Sequence, residues 1–213
     1  MSNTKTANNH LPDRWQYVRL EEVISEALSG FAIGERDPNG IIQLRMNNVD
    51  TRGNLIWDEF IRVPVDKSTV ERYQLRRGDV VFNNTNSTEL VGKSAFFMEY
   101  KEPVVYSNHF TRLRTKQDYL DPRFLAFWLG QLWNNGVFAS ICNRWIGQSA
   151  VKADLLLRLE IPLPPLAEQK RIVLRLTEQI STIEQARQAA EAQLEAISAL
   201  TAALLRKAFN GEL

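Results

Sequence analysis

The chain has 213 residues, enough for one fair-sized domain or for a domain of about 150 residues with an appendage. With 44% hydrophobic and 24% charged residues it can bury a proper core. The balance of 26 basic against 25 acidic residues excludes an argument from bulk charge for a nucleic-acid or membrane surface, so any such surface must come from local arrangement. Cys142 is the only cysteine, which removes an internal disulfide framework. The opening MSNTKTANNHLPDRW is polar and lacks the apolar core of a signal peptide, and no run of about 18 apolar residues offers a transmembrane helix. The expectation is a cytoplasmic protein with no membrane partner.

After the polar leader, LEEVISEAL (20–28) predicts a short helix. Six β-like runs follow: IIQLRM (41–46), FIRVPV (60–65), DVVFN (79–83), SAFFM (94–98), PVVY (103–106) and HFTRLR (109–114). They are separated by turn signals rich in Gly, Asn, Asp or Ser, at DPNG (37–40), TRGN (51–54), RRGD (76–79) and NNTNS (83–87). DPRFLAFWLGQLW (121–133) begins with Asp-Pro, suited to an N-cap and first turn, and predicts a helix. VFASICNRW (137–145) predicts another short one. The pattern is that of an α+β domain over residues 1–160, with much of its chain in loops.

The next residues change register. IPLPPLAEQKRI (161–172) packs three prolines, Pro162, Pro164 and Pro165, into four positions. Proline holds its neighbour extended and cannot donate to a sheet ladder, so 161–165 predicts a stiff joint. A long helix follows over 166–208, with Pro165 suited to the first turn and Glu168 to the positive end of the helix dipole. Residues 209–213 form a short tail. Stepping by three and four gives Val173, Leu176, Ile180, Ile183, Arg187, Ala190, Leu194, Ile197, Thr201, Leu204 and Ala208, and nine of these eleven positions are apolar. That is a heptad seam sustained over about five repeats, on a helix of roughly 65 Å. Such a seam could fold back on its own domain, but it outruns a domain of about 160 residues, and the better reading is a coiled-coil arm that needs a second helix.

Catalytic patterns are missing. VGKS (91–94) suggests a phosphate-binding loop, but the first glycine of that motif would fall on Ser87. Cys142 and His109 could be imagined as nucleophile and base, and the only other histidine is His10 in the leader. A single cysteine in such a run is more often a small buried hydrophobe, and two histidines with one cysteine do not supply a typical zinc site. No metal or cofactor is expected on this chain.

IPLPPLAEQKRI, with the long helix after it ending in LLRKAFNGEL, resembles the conserved region of the DNA-specificity subunits of type I restriction–modification systems. DRWQYVRLEEV (13–23), GDVVFNNTNS (78–87), GKSAFF (92–97), SNHFTRLR (107–114) and DPRFLAFWL (121–129) agree with it. The resemblance implies a non-catalytic subunit whose target-recognition domain reads double-stranded DNA. Modification subunits carrying S-adenosylmethionine would methylate adenine beside it, and a restriction subunit could complete the assembly. Members of the family usually carry two recognition domains and two antiparallel helices in tandem, whereas this chain has one of each. It resembles a half-size form, and the expectation is a homodimer in which a second copy supplies the missing helix and the pair reads a gapped, palindromic site. Arg187 and Thr201 would help set the register.

Base edges are read by Asn, Gln and Arg, and phosphates are held by Lys and Arg. In LRMNNVDTRG (44–53), NNTNS (83–87), SNHF (107–110) and NRWIGQSAVK (143–152), the candidates for base contacts are Asn47, Asn48, Asn84, Asn86, His109 and Gln148. Arg45, Arg52, Lys93, Arg112, Arg144 and Lys152 are candidates for phosphate or guanine contacts. Against this stands the ordinary habit of Asn and Ser to cap turns. The competing functional readings are a coiled-coil scaffold or regulator whose globular domain binds protein, and a hydrolase built on Cys142 and His109. The EQKR turn (168–171) offers a docking surface for the modification subunits.

Overall fold

The computed structural model describes residues 11–212; His10 and the start of the polar leader lie outside them. The chain opens with β1 (Gln16–Arg19), α1 (Leu20–Val23), β2 (Ile24–Ser29) and β3 (Ile41–Leu44). A 3₁₀ turn at Met46–Asn48 leads to β4 (Ile61–Val63), α2 (Lys67–Tyr73), β5 (Val80–Asn83), β6 (Thr85–Asn86), β7 (Ser94–Phe96), β8 (Val104–Tyr106) and β9 (Phe110–Thr115). Then come α3 (Pro122–Asn134), α4 (Val137–Ile141), β10 (Asn143–Trp145), β11 (Gln148–Ala150), α5 (Ala153–Leu157), β12 (Glu160–Leu163) and α6 (Leu166–Phe209). All six predicted β-runs hold a strand. One unit runs to Lys170 and a second begins at Arg171.

The first unit is built on two sheets. β2, β9, β5 and β7 form one in that order, antiparallel throughout, and β4, β3 and β8 form the other, with β3 and β8 parallel. Their inner faces share a core of Ile42, Leu44, Val49, Leu75, Val81, Ala95, Phe97, Val104, Tyr106 and Phe110. α3 covers the β5–β7 side, and Asp121 caps it by accepting from the amides of Arg123 (2.9 Å) and Phe124 (3.2 Å) with Pro122 at the first position. The VGKS stretch serves this packing. Gly92 has φ +93°, and a Cβ there would lie 2.3 Å from the Phe138 ring of α4, so only glycine fits.

LEEVISEAL departs from expectation. Only its first four residues are helical; Ile24–Ser29 is an edge strand along β9. The segment has fair helical propensity, but tertiary pairing overrides it. Glu26 is held there by ion pairs to Arg112 and Arg114 on the neighbouring strand.

The proline segment is also more than a joint. Glu160–Leu163 pairs antiparallel with Gln16–Arg19, and Pro162 stands opposite Tyr17. A two-stranded ribbon leaves the outer row of each strand unpaired, and an edge of this kind tolerates a missing N–H. The Pro165 carbonyl accepts from the amide of Gln169 (3.1 Å), so Pro165 lies just before the helix.

Gln169 explains the residues after the prolines. It is fully buried. Its amide nitrogen donates to the carbonyls of Tyr119 and Pro164, and its oxygen accepts from the Asp121 amide, each at 2.8 Å. One side chain thereby ties the cap of α3 to the start of α6. The expected docking turn 168–171 therefore loses its glutamine to an internal role. Gln169→Leu would strand three backbone groups, and a loss of about 2 kcal/mol is expected in a denaturant titration. An unchanged midpoint would show that water replaces those bonds.

Beyond Arg171 the chain is helical to Phe209. Val173 is buried and Leu176 half-buried, while Ile180, Ile183, Ala190, Leu194, Ile197, Thr201, Leu204 and Ala208 are exposed. Arg187 bonds Glu184 and Glu191 of its own helix, the former through Nε at 3.0 Å. Thr201 Oγ1 donates to the Ile197 carbonyl at 3.1 Å. Both polar positions of the seam are thus satisfied within the helix.

Candidate nucleic-acid interface

Four segments converge at one end of the four-stranded sheet, where β5 ends and β9 begins. Asn84 fastens them. Its backbone amide donates to the His109 carbonyl (2.9 Å), its side chain to the Asn108 carbonyl (3.2 Å), and its own carbonyl accepts from Val151 (2.9 Å). Next to it β6 pairs with β11, which pairs with β10, so the 143–150 hairpin is anchored beside 83–87. The Asn108 amide in turn donates to the Phe31 carbonyl (3.1 Å), which also accepts from the Gln43 side chain (3.1 Å).

These bonds frame a groove of about 420 Å³ lined by Phe31, Arg36, Gln43, Arg45, Asn108 and His109, among others. Arg36 is exposed and Arg45 half-buried, so two guanidinium groups border one concavity. His109 is half-buried, with its Nδ1 buried and unpartnered among the described residues. Burial, and after it the charge of Arg45, lowers the imidazole pKa, so the ring is neutral at pH 7. A neutral imidazole can both donate and accept, and flanking arginines favour an anionic or guanine-like ligand.

The twelve sequence-predicted contacts divide by burial. Arg45, Asn47, Arg52, Arg144, Gln148 and Lys152 lie at the surface or on the groove wall, and His109 joins Arg45 there. Glu89 lies close enough to Arg144 for the guanidinium to help lower its pKa, after hydrogen bonds from its own backbone and Ser87.

The other five are corrected by their bonds. Asn48 is 1% exposed and spends its amide on the carbonyls of Ile56 (3.0 Å) and Glu59 (2.6 Å) and on the Arg45 amide (2.9 Å). Asn84 also serves Thr111 (3.0 Å) and Thr85 (2.7 Å), and Asn86 is buried on Asn83 (2.6 Å) and the Ser87 amide (2.8 Å). These asparagines bond their own turns and neighbouring loops, as asparagine does at turns. Lys93 is buried, with its ammonium on the carbonyls of Met46 and Val49; burial lowers its pKa against the pull of Asp50. Arg112 is buried in the central strand on Glu26 and the Gln74 carbonyl (3.0 Å). Asn48, Asn86, Lys93 and Arg112 cannot reach a duplex without unmaking the fold, and Asn84, half-buried, is held by the loops it fastens.

Residues 12–196 match the model of the type I restriction modification DNA specificity domain. The chain belongs to this family. It is 26% identical over 99% of its length to the StySPI type I restriction enzyme specificity subunit of Salmonella potsdam, covering 46% of that protein. The chain spans about half the length of the curated relatives it matches. Among solved structures, a chain of a type I restriction–modification complex shares its fold with a TM-score of 0.67 at 24% identity, over 97% of this chain and 48% of that one. The HsdS subunit of Thermoanaerobacter tengcongensis does so with a TM-score of 0.59 at 23% identity, over 98% and 48%.

One stretch of this specificity-domain surface escaped the sequence reading: FAIGER (31–36) brings Arg36 to the groove but carries no Asn or Ser cluster to mark it. The loop 143–152 is expected from the sequence, but not that Asn143–Trp145 and Gln148–Ala150 pair as a hairpin, for which glycine between two short runs was the available signal. Among the described residues no group of His, Cys, Asp and Glu could hold a metal ion, and no helix is long and apolar enough to cross a membrane.

Proposed function

We propose that the chain is a sequence-specific DNA-recognition subunit of a type I restriction–modification complex. The groove of Arg36, Arg45, Asn108 and His109, with the 143–150 hairpin beside it, meets the duplex. Modification subunits, which bind S-adenosylmethionine, dock alongside and methylate adenine, and the chain itself performs no catalysis. A restriction subunit joins where the system has one. The observation that carries this reading is the specificity-domain match over 12–196, on a fold whose loops gather basic and amide side chains at one end. The α6 seam supports pairing with a second copy, antiparallel, so that two recognition domains read the halves of a gapped palindrome.

Selection from random duplex DNA, with the chain alone and then with its modification subunit, tests the proposal. A gapped palindrome is expected. A gapped asymmetric site would replace the homodimer with a different second half, and a complex that enriches no sequence would move the scaffold reading to the front. Arg45→Ala should weaken the selected site by about 1–3 kcal/mol, roughly five- to 150-fold, with an unchanged melting temperature. Full affinity in that variant would remove the groove from the DNA contact.

A further inference from the structure

The β10–β11 hairpin has a firm base and an open tip. At its base Ser149 is 1% exposed, its hydroxyl lies 2.7 Å from that of Thr88, and β11 is paired to β6. At its tip Trp145 pairs with Gln148, leaving Ile146 and Gly147 as a two-residue turn. Gly147 has φ +76°, as such a turn requires. Ile146 is fully exposed and Trp145 is 59% exposed, and all three residues of β10 are open to solvent.

Folding does not account for these two side chains. Ile146 does not have a positive φ, so the turn requires glycine at 147 and nothing apolar at 146. A lone exposed apolar residue needs no explanation. Two large ones, adjacent and at the end of a projecting rigid element, do. The segment 143–152 carries Arg144 and Lys152 and no acid of its own, Glu89 lies near Arg144, and the base is continuous with the groove through Asn84.

We infer that this tip is a wedge, in which Ile146 and Trp145 enter the duplex and unstack a single base step beside the bases read by the groove. Apolar side chains inserted between base steps unstack them and kink the helix. Arg144, next to Trp145 in β10 and donating through Nη2 to the Ala139 carbonyl (2.8 Å), holds the flanking phosphate with its other nitrogens. The cost of deforming the step depends on its sequence, so the wedge adds selectivity for a flexible step at a position that receives no hydrogen bond. The inference rests on the DNA-recognition reading and deepens it.

The test uses the full chain with its modification subunit and a selected duplex carrying 2-aminopurine at successive positions outside the methylated adenine. Wild type should give a fluorescence rise at one step in each half-site, with end-to-end energy transfer reporting a bend. Trp145→Ser and Ile146→Ser, both at exposed positions, should melt like wild type, lose that rise and bind roughly tenfold more weakly. Retention of the rise and of the affinity in both variants would overturn the wedge while leaving the recognition reading intact. Variants that keep the rise but no longer bind the modification subunit would overturn it in favour of a protein contact. A wild-type complex that selects no duplex would sink the recognition reading and the wedge with it.

Discussion

Replacing Arg112 with methionine is expected to destabilise the first unit by about 1.5–3 kcal/mol, the usual worth of hydrogen bonds to a charged group, because Glu26 is 38% exposed and keeps Arg114. The residue lies in β9, the strand between β2 and β5, and its side chain is 2% exposed. It holds Glu26 of β2 and the Gln74 carbonyl after α2, and its guanidinium lies 5.6 Å from the Tyr106 ring centre. Arg114 completes the cluster, bonding Asp79 at 2.7 Å and Glu26 at 3.2 Å. Methionine fills similar volume, so the loss isolates the charge. In a unit of this size the melting temperature should fall by at least about 3 °C. If Arg112 contacted DNA instead, the variant would melt like wild type and bind more weakly, and that outcome would sink the structural assignment.

The same cluster sets an acid limit. Burial works against the Glu26 carboxylate, but hydrogen bonds and charge from Arg112, then Arg114, outweigh it and leave the pKa below its usual 4.5. A carboxylate with a lowered folded pKa adds stability that is complete above the unfolded value and is lost as pH falls through the folded one. Wild type should therefore lose stability below about pH 4.5, and some of that loss should vanish in Arg112→Met.

Arg112 also shows where sequence reading stopped. HFTRLR was legible as a strand, but alternation alone could not say that an arginine faces inward. That depends on Glu26, 86 positions away and inside a stretch that itself reads as helix. The asparagines failed for a related reason. A cluster such as NNTNS signals a turn and a base-reading loop equally well, because the same amide serves both, and only the folded hydrogen bonds separate Asn84 and Asn86 from an exposed residue such as Asn47. Local, periodic features were legible: the six strands, the Asp121-Pro122 helix start and α6. The groove was not, because its walls come from 31–36, 43–45 and 107–109, which only the parallel β3–β8 pairing and the Phe31–Ser107 bridge bring side by side. Gln169 was hidden too, as a polar residue in a helix start normally reads as surface.

The α6 seam yields the other large effect. Ile183 and Leu194 are 67% and 65% exposed, so Ile183→Glu with Leu194→Glu leaves the single helix intact and keeps strong helix formers. If two copies pair, the double variant removes four large apolar side chains from one interface. At roughly 1.5–3 kcal/mol each, that is about 6–12 kcal/mol before any charge repulsion. The dissociation constant should rise by more than about ten-thousandfold, enough to leave a monomer at micromolar concentration. Equilibrium sedimentation would report it, and selection should then return a half-site in place of a gapped one. The pattern itself argues for a supercoiled partner. A strict seven-residue repeat drifts by about 20° per heptad around a straight helix, so over five heptads the stripe would turn about 100° away from a flat surface. Only a helix winding with it can follow the exposed seam from Ile180 to Ala208, and Arg187, already neutralised by Glu184 and Glu191, can sit along that path without an unpaired charge. A double variant that still sedimented as a dimer would show that the contact lies elsewhere, and the antiparallel pairing would have to be given up.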